Sequence, residues 1–182
     1  MVESPDLVTA EELARLPDDG HRYELVEGRL VRMSPVNFDH GRIVMQLGAL
    51  LQLHLQKQPS GVVVADVGFK LASNPDTVRG PDIAFVRKER VPSSGGRGFF
   101  KGAPDLVIEV LSPEDRPRET REKIDAYLAR GVSLVVVIGP GDKSATIFRP
   151  GAAKVRLTSG TDVVDLSDVI PGFRCQLRDV FR

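Results

Sequence analysis

The sequence predicts an α/β fold of the α+β kind, with a mixed central sheet flanked by helices and β-hairpins near both ends. Three observations lead to this fold class. A Glu-Gly turn joins two strand-like segments within RYELVEGRLVRMSP. Apolar residues between positions 37 and 58 then recur with the period of a helix and form one stripe. Between residues 105 and 138, a strand, a helix and a buried strand follow in order, which implies a parallel, right-handed crossover.

The composition is that of an ordinary globular protein. Of the 182 residues, 41% are apolar and 27% are charged, and the formal net charge is zero. Overall charge therefore gives no strong sign of nucleic-acid binding, and any such contact needs a local basic patch. The lone Cys175 excludes an internal disulfide and a thiolate metal cluster. We expect one domain over residues 1–182.

The sequence also bears on localisation. No signal peptide is recognisable, and no apolar run approaches the ~18 residues that a membrane span requires. These features predict a cytoplasmic protein.

The N-terminal third of the chain is predicted to contain two helices and a hairpin. Thr9 and Glu12 form a capping box that predicts a short helix through Leu16. Glu24 lies in the first strand of the hairpin that turns at Glu27-Gly28. The longer helix at residues 37–58 has one apolar stripe, made of Ile43, Val44, Leu47, Leu50, Leu51 and Leu55.

Two later stretches have the alternation of strands. Residues 61–71 place Val63, Val67 and Leu71 on one face and Asp66 and Lys70 on the other, which predicts one continuous strand. Near the end of the chain, ATIFR and KVRLT predict a second hairpin.

The most informative stretch repeats one pattern, first as RGPDIAFV and then as APDLVIEVLSP. Each Pro-Asp leads into a short apolar strand, and the second strand contains the acidic Glu109. Asp82 meets Glu109 if the two strands pair, and two carboxylates in one cleft suit a hard divalent cation. The alternative is structural, with Asp82 capping a turn and Glu109 paired to a buried arginine.

Two histidines and a loop are further candidates for a site. His40 falls in the first turn of the long helix, where it either faces a cleft or merely packs and caps. His54 lies near the other end and is expected to be structural. A Gly/Ser/Pro-rich surface loop separates the Pro-Asp strands, and its basic residues either reach phosphates or belong to a solvated flap: Arg87, Lys88, Arg90, Arg97 and Lys101.

The helix after the second Pro-Asp strand is expected to start at Ser112-Pro113 and to end at Gly131. Nucleases of the PD-(D/E)XK superfamily carry Asp on one strand and Glu-x-Lys on the next. Here the lysine position holds Leu111. Lys123 on the helix is available as a replacement cation that can lean back toward Glu109.

With these residues in view, the chain resembles the Uma-two family, described as bacterial endonucleases within the restriction-endonuclease-like superfamily. The resemblance covers nearly the whole chain and rests on the order of several segments: YELVEGRLVRMSP, DHGRIVMQL, VGFKL, VRGPDIAFV, PDLVIEVLSP, KIDAYLARGV and IPGF. The sequence departs from the family at residues 137–140, which lack the tryptophan and aspartate often found there.

The resemblance implies a metal-dependent DNA endonuclease, usually dimeric, with a restriction-endonuclease-like core and Mg²⁺ or Mn²⁺ as cofactor. By position, Asp82 and Glu109 would be metal ligands, together with the Val110 carbonyl. Lys123 would be the catalytic lysine, Glu24 an accessory acid and His40 a further group lining the site. Two alternatives remain open, a non-catalytic module with the nuclease fold that binds DNA or a partner, and a metal-dependent phosphohydrolase acting on a small molecule.

Overall fold

The computed structural model describes residues 7–93 and 98–182. The predicted loop residue Arg97 lies outside them. The helices are α1 (Ala10–Leu13), α2 (Phe38–Lys57), α3 (Pro117–Ala129) and α4 (Leu177–Val180), with a 3₁₀ turn at Lys88–Arg90. The strands are β1 (Arg22–Val26), β2 (Arg29–Met33), β3 (Gly61–Ala65), β4 (Phe69–Ala72), β5 (Thr77–Arg79), β6 (Ile83–Arg87), β7 (Phe100–Lys101), β8 (Leu106–Val110), β9 (Leu134–Gly139), β10 (Ser144–Phe148), β11 (Val155–Leu157), β12 (Val163–Asp165) and β13 (Arg174–Gln176).

A first sheet has the strand order β2-β1-β5-β4-β7 and contains the N-terminal hairpin. The hairpin turns at Glu27 and Gly28, whose φ angles are 50° and 77°. Both angles lie in the left-handed region, as in the two-residue hairpin turn whose backbone twist matches that of the flanking strands. Thr9 caps α1 through the predicted capping box, but the helix ends at Leu13 rather than continuing to Leu16.

The central sheet is mixed and has the order β11-β10-β9-β8-β6-β3. Strands β8 and β9 run parallel and are joined through α3, as the strand-helix-strand pattern predicted. Strand β6 pairs antiparallel with β8, so that Ile83 stands opposite Ile108. The second hairpin, β10 with β11, extends one edge of this sheet.

Helices cover both faces of the central sheet. The buried stripe of α2 packs with Ile108 and Val110 of β8, while Ile124 and Tyr127 of α3 pack with Val107 on the other face. Because side chains alternate along a strand, Glu109 shares the α3 face with Val107. The fold therefore presents Glu109 to helix α3.

Two further expectations about secondary-structure elements are wrong. Residues 61–71 form two strands in different sheets rather than one, because Asp66 adopts a left-handed φ of 57° and turns the chain between them. Gly68 follows in the same connection, and a larger residue there would clash, because its Cβ would lie 2.4 Å from the Phe99 ring. Helix α3 starts at Pro117 and not at Ser112-Pro113, because residues 112–115 form a turn in which the Ser112 amide donates to Asp115.

Within the described residues, no helix combines the length and the apolar character needed to cross a membrane.

Candidate active site

The candidate site lies where the chain passes from the first sheet into the central sheet. Strand β5 ends at Arg79, and Gly80, Pro81 and Asp82 lead directly into β6. Proline lacks an N–H group and restricts the residue before it to extended backbone, so it suits a junction between strands. The junction places Asp82 at the end of β6 that faces the last residues of β8.

Two groups hold the Asp82 side chain. Its Oδ2 accepts a hydrogen bond of 2.7 Å from the amide of Val110. The Nε2 atom of His40 lies 3.1 Å from the same oxygen. His40 is 5% exposed and reaches Asp82 from the first turn of α2, where Asn37 caps the helix through the His40 amide. The three elements β6, β8 and α2 thus converge on one carboxylate oxygen.

Glu109 meets two side chains of α3. Lys123 Nζ lies 3.0 Å from Glu109 Oε1 and 3.1 Å from Oε2. The Tyr127 hydroxyl donates to Oε1 at 2.8 Å. Residues 123 and 127 are one helical turn apart, so α3 presents both toward the same carboxylate. The basic partner of Glu109 is therefore a lysine, not the buried arginine of the structural alternative.

Glu24 completes the cluster from β1. Its Oε2 accepts a hydrogen bond of 2.7 Å from Arg79 Nη1, and its Oε1 accepts one of 2.9 Å from the Gly80 amide. Lys123 Nζ lies 3.3 Å from Glu24 Oε1, so this lysine stands between two acids. The Glu24 side chain is only 4% exposed, and its contacts link the first sheet to helix α3.

The protonation of these groups reflects burial and neighbouring charge. Burial raises the pKa of Glu109 to about 7 even though Lys123 opposes the shift, and the charges of Asp82 and Glu24 add to the rise. Burial also favours neutral Glu24, but Lys123 and Arg79 outweigh it and hold the pKa of Glu24 below its ordinary value. Burial opposes charge on Lys123, yet Glu109 and Glu24 raise the pKa of Lys123, so it stays protonated.

His40 is also affected by its acidic neighbour. The hydrogen bond with Asp82 raises the pKa of His40, and partial burial opposes the shift. Its Nδ1 atom is buried and has no hydrogen-bond partner among the described residues.

The structure brings together Glu24, His40, Asp82, Glu109 and Lys123, the five side chains that the sequence singled out. Val110 contributes its amide to Asp82, while a ligand role for its carbonyl stays a prediction. His54 lies apart, with Nε2 2.9 Å from the Pro171 carbonyl oxygen. The second Pro-Asp is structural, because buried Asp105 accepts the Arg87 amide and pairs with Arg90.

Sequence reasoning missed Arg79 and the hydroxyl of Tyr127. The spacing of four residues between Lys123 and Tyr127 was a usable signal for this hydroxyl, because residues so spaced share one face of a helix. No comparable signal marked Arg79, because its partner Glu24 lies 55 residues earlier in the chain.

The side chains of the site can be assessed as ligands for a divalent metal ion. In the described part of the chain, no group of three or more His, Cys, Asp or Glu side chains is arranged to hold one. Asp82 and Glu109 nevertheless offer carboxylate oxygens, and the charges of Asp82 and Glu24 raise the pKa of Glu109, a repulsion that a cation would relieve. Few protein ligands, all of them oxygens, fit an ion such as Mg²⁺ that retains several waters.

The chain is similar to known proteins in sequence and in fold. Residues 10–178 match the model of the Uma2 (Uma-two) family, whose description is "Putative restriction endonuclease". A solved structure from Anabaena variabilis ATCC 29413, described as a putative nuclease belonging to DUF820, superposes with a TM-score of 0.83 at 20% identity. The match covers 96% of this chain and 97% of that one. No curated protein matches the chain. The predicted α+β fold class with mixed sheets and flanking helices is confirmed.

Proposed function

The chain belongs to the Uma2 family, whose description is "Putative restriction endonuclease", and we propose that it hydrolyses phosphodiester bonds in DNA with the help of a divalent cation. The observation that carries the proposal is the convergence of Asp82, Glu109 and Lys123 at the junction of β6, β8 and α3. Family membership supports a nuclease-type hydrolase in general terms. The DNA substrate and the metal dependence belong to the proposal.

Asp82 and Glu109 would hold the cation, with the Val110 carbonyl as a third oxygen. A bound divalent cation supplies positive charge beside the phosphate and makes a coordinated water more acidic. His40 and the Val110 amide keep the Asp82 side chain in one orientation. Fixed ligand orientation is what the residues around a metal site ordinarily contribute.

Lys123 would act as a fixed positive charge. The two carboxylates beside it raise its pKa, so it donates hydrogen bonds and does not accept a proton. Its Nζ is positioned by Glu24 and Glu109 and would face the charge that develops on the attacked phosphate or on the water. Arg79 and the Gly80 amide hold Glu24, so the position of Lys123 depends on the first sheet as well.

Activity on a panel of substrates tests this proposal. Supercoiled plasmid, linear duplex, single-stranded DNA, RNA and nucleotides would each be incubated with Mg²⁺ or Mn²⁺. We expect cleavage of DNA that depends on the cation. We expect Asp82→Ala and Glu109→Ala to remove it while circular dichroism shows a folded protein.

The matched control is Asp125→Ala, which removes an acid from the exposed side of α3, where Asp125 pairs with Arg121. It should cleave as the wild type does. Asp82→Ala activity within a few-fold of wild type would refute the site. Hydrolysis of nucleotides alone would point to a small-molecule phosphohydrolase, and inactivity on every substrate would favour a binding module.

A further inference from the structure

Helix α2 has a second apolar stripe, on the side opposite the one that packs in the core. Phe38, Met45 and Leu53 are 85%, 74% and 57% exposed. With 3.6 residues per turn, Phe38, Met45 and the exposed Ala49 fall on one line along the helix, and Leu53 lies close to it. A surface helix ordinarily has one apolar stripe and a polar outer face, whereas this outer face is apolar and exposed and has no partner among the described residues.

The outer face is also nearly free of charge. Between residues 40 and 56, the only Asp, Glu, Lys or Arg is Arg42. Its Nη1 donates to the carbonyl oxygens of Phe181 at 3.1 Å and Arg182 at 2.5 Å, which draws the guanidinium toward the end of the chain. A shallow groove of about 480 Å³ runs along this side of the helix and is lined by Phe38, Met45 and Ala49, with Arg42 and Arg182 at one side.

Two glycines on the flank of this face, Gly41 and Gly48, pack against no neighbouring group in the described part of the chain. A Cβ added at Gly41 or at Gly48 would meet no atom within 4 Å. Glycine is unfavourable in a helix interior compared with alanine, and neither glycine makes room for a group of residues 7–93 or 98–182. Glycines on a helix surface allow the backbone of another element, such as a helix of a second copy, to approach closely.

We propose that the outer face of α2, defined by Phe38, Met45, Ala49 and Leu53, is a self-association surface that packs antiparallel against the same face of a second copy. A two-fold axis level with Leu47 places Met45 of one copy against Ala49 of the other. Large and small side chains then face each other across the centre of the interface. The same axis brings Phe38 of each copy to the exposed Gln56 of the other.

The charges at the two ends of α2 select the antiparallel arrangement. Asp39 lies in the first turn and is 68% exposed, while the exposed Lys57 is the last helical residue. An antiparallel pair brings Asp39 of each copy close to Lys57 of the other and opposes the two helix dipoles. A parallel pair would instead place like charges and like helix ends side by side. A C₂ interface uses one patch on both subunits, and this patch is complementary to itself.

The mass in solution tests the proposal, measured by light scattering or sedimentation over a range of protein concentrations. We expect a wild-type dimer and a monomeric Met45→Glu variant, because each dimer would bury two carboxylates at its centre. The matched control is Val155→Glu, since Val155 is 46% exposed on β11, an edge strand of the central sheet. This variant should remain dimeric, and circular dichroism should show that both variants are folded.

Cysteine cross-linking tests the register. A mixture of Met45→Cys and Ala49→Cys chains should form disulfide-linked dimers more readily than either chain alone, with the unmodified chain as the control for Cys175. A monomeric wild type, a dimeric Met45→Glu chain or dissociation caused by Val155→Glu would each overturn the proposal. Because Met45 lies on the side of α2 away from His40, this outcome is independent of the nuclease assay.

Discussion

Lys123 is held at 3.0 Å from Glu109 and 3.3 Å from Glu24, so its ammonium group has a defined position before any substrate arrives. In the proposed reaction, its main partner is the negative charge that develops in the transition state. We therefore expect Lys123→Met to lower kcat by about 10²–10³-fold with little change in KM. Steady-state kinetics on the DNA substrate found in the panel measures both constants.

Arg121→Met is the control, because Arg121 lies on the same helix and pairs with Asp125 at the surface. It should leave kcat unchanged. A silent Lys123→Met together with an essential Arg121 would show that the lysine has been misassigned.

At the residue scale, the sequence indicated the acids, His40 and Lys123 but not the contacts of Arg79 or the Tyr127 hydroxyl. Asp82 and Glu109 were detectable because a carboxylate beside or within an apolar strand is costly without a partner. Lys123 followed from helical spacing once Leu111 had been found at the usual lysine position. The contacts of Arg79 with Glu24 were not predictable, since they depend on how two distant strands come together in the first sheet.

At the element scale, predictions succeeded where a local signal had one structural meaning. The Glu-Gly turn, the capping box at Thr9 and the stripe of α2 are such signals. Alternation over residues 61–71 had two readings, because two short strands in line have the same pattern as one long strand. The left-handed Asp66 that separates them is uncommon for a residue other than glycine and left no clear mark in the sequence.

Helix α1 offers a pH-dependent test of how a short element is anchored. Asp76 is buried, and its Oδ2 accepts the Ala10 amide at 2.8 Å and lies 2.8 Å from Lys70 Nζ. These contacts lower the pKa of Asp76 below its ordinary value. A carboxylate with a lowered folded-state pKa stabilises the fold above its unfolded-state pKa and loses that effect as pH falls through the folded-state pKa.

We therefore expect Asp76→Asn to lower the free energy of unfolding by roughly 1.5–3 kcal/mol near neutral pH, with the difference from wild type vanishing in acid. Urea denaturation at several pH values measures it. Asp66→Asn is the control, because Asp66 pairs with Arg22 at the surface, where both side chains are more than half exposed. Its effect should stay within about 1 kcal/mol. A cost for Asp76→Asn that is equal at all pH values would contradict the ionic explanation.

At the scale of the whole molecule, the site concentrates charge that the fold only partly compensates. Three acids, Glu24, Asp82 and Glu109, face two permanently basic side chains, Lys123 and Arg79. The charges of the two glutamates have opposite effects on stability. The pKa of Glu24 is lowered, so its charge stabilises the fold, whereas the pKa of Glu109 is raised, so ionising it above about pH 4.5 costs stability.

Thermal unfolding of two matched variants tests this difference without a substrate. Glu109→Gln should leave the metal-free protein as stable as wild type or more stable, because Lys123 keeps Glu24 as a partner. Glu24→Gln should destabilise it by ~3–5 kcal/mol, because it leaves the charge of Arg79 buried without its carboxylate. The matched pair separates an acid proposed to bind the cation from one that compensates the charge of Arg79.

The same melting scan tests the proposed cation. Mg²⁺ or Mn²⁺ should raise the Tm of the wild type, because an ion that binds only the folded state stabilises it by about 2.7 kcal/mol at a hundredfold excess over its Kd. Glu109→Gln should lose this rise, since it removes one of the two carboxylates that would hold the ion. Asp125→Ala, which leaves the site intact, should keep it. The opposite outcome would be a wild-type Tm that neither ion changes and a Glu109→Gln variant that is less stable than wild type. That outcome would show that Glu109 is a structural partner of Lys123 and not a metal ligand.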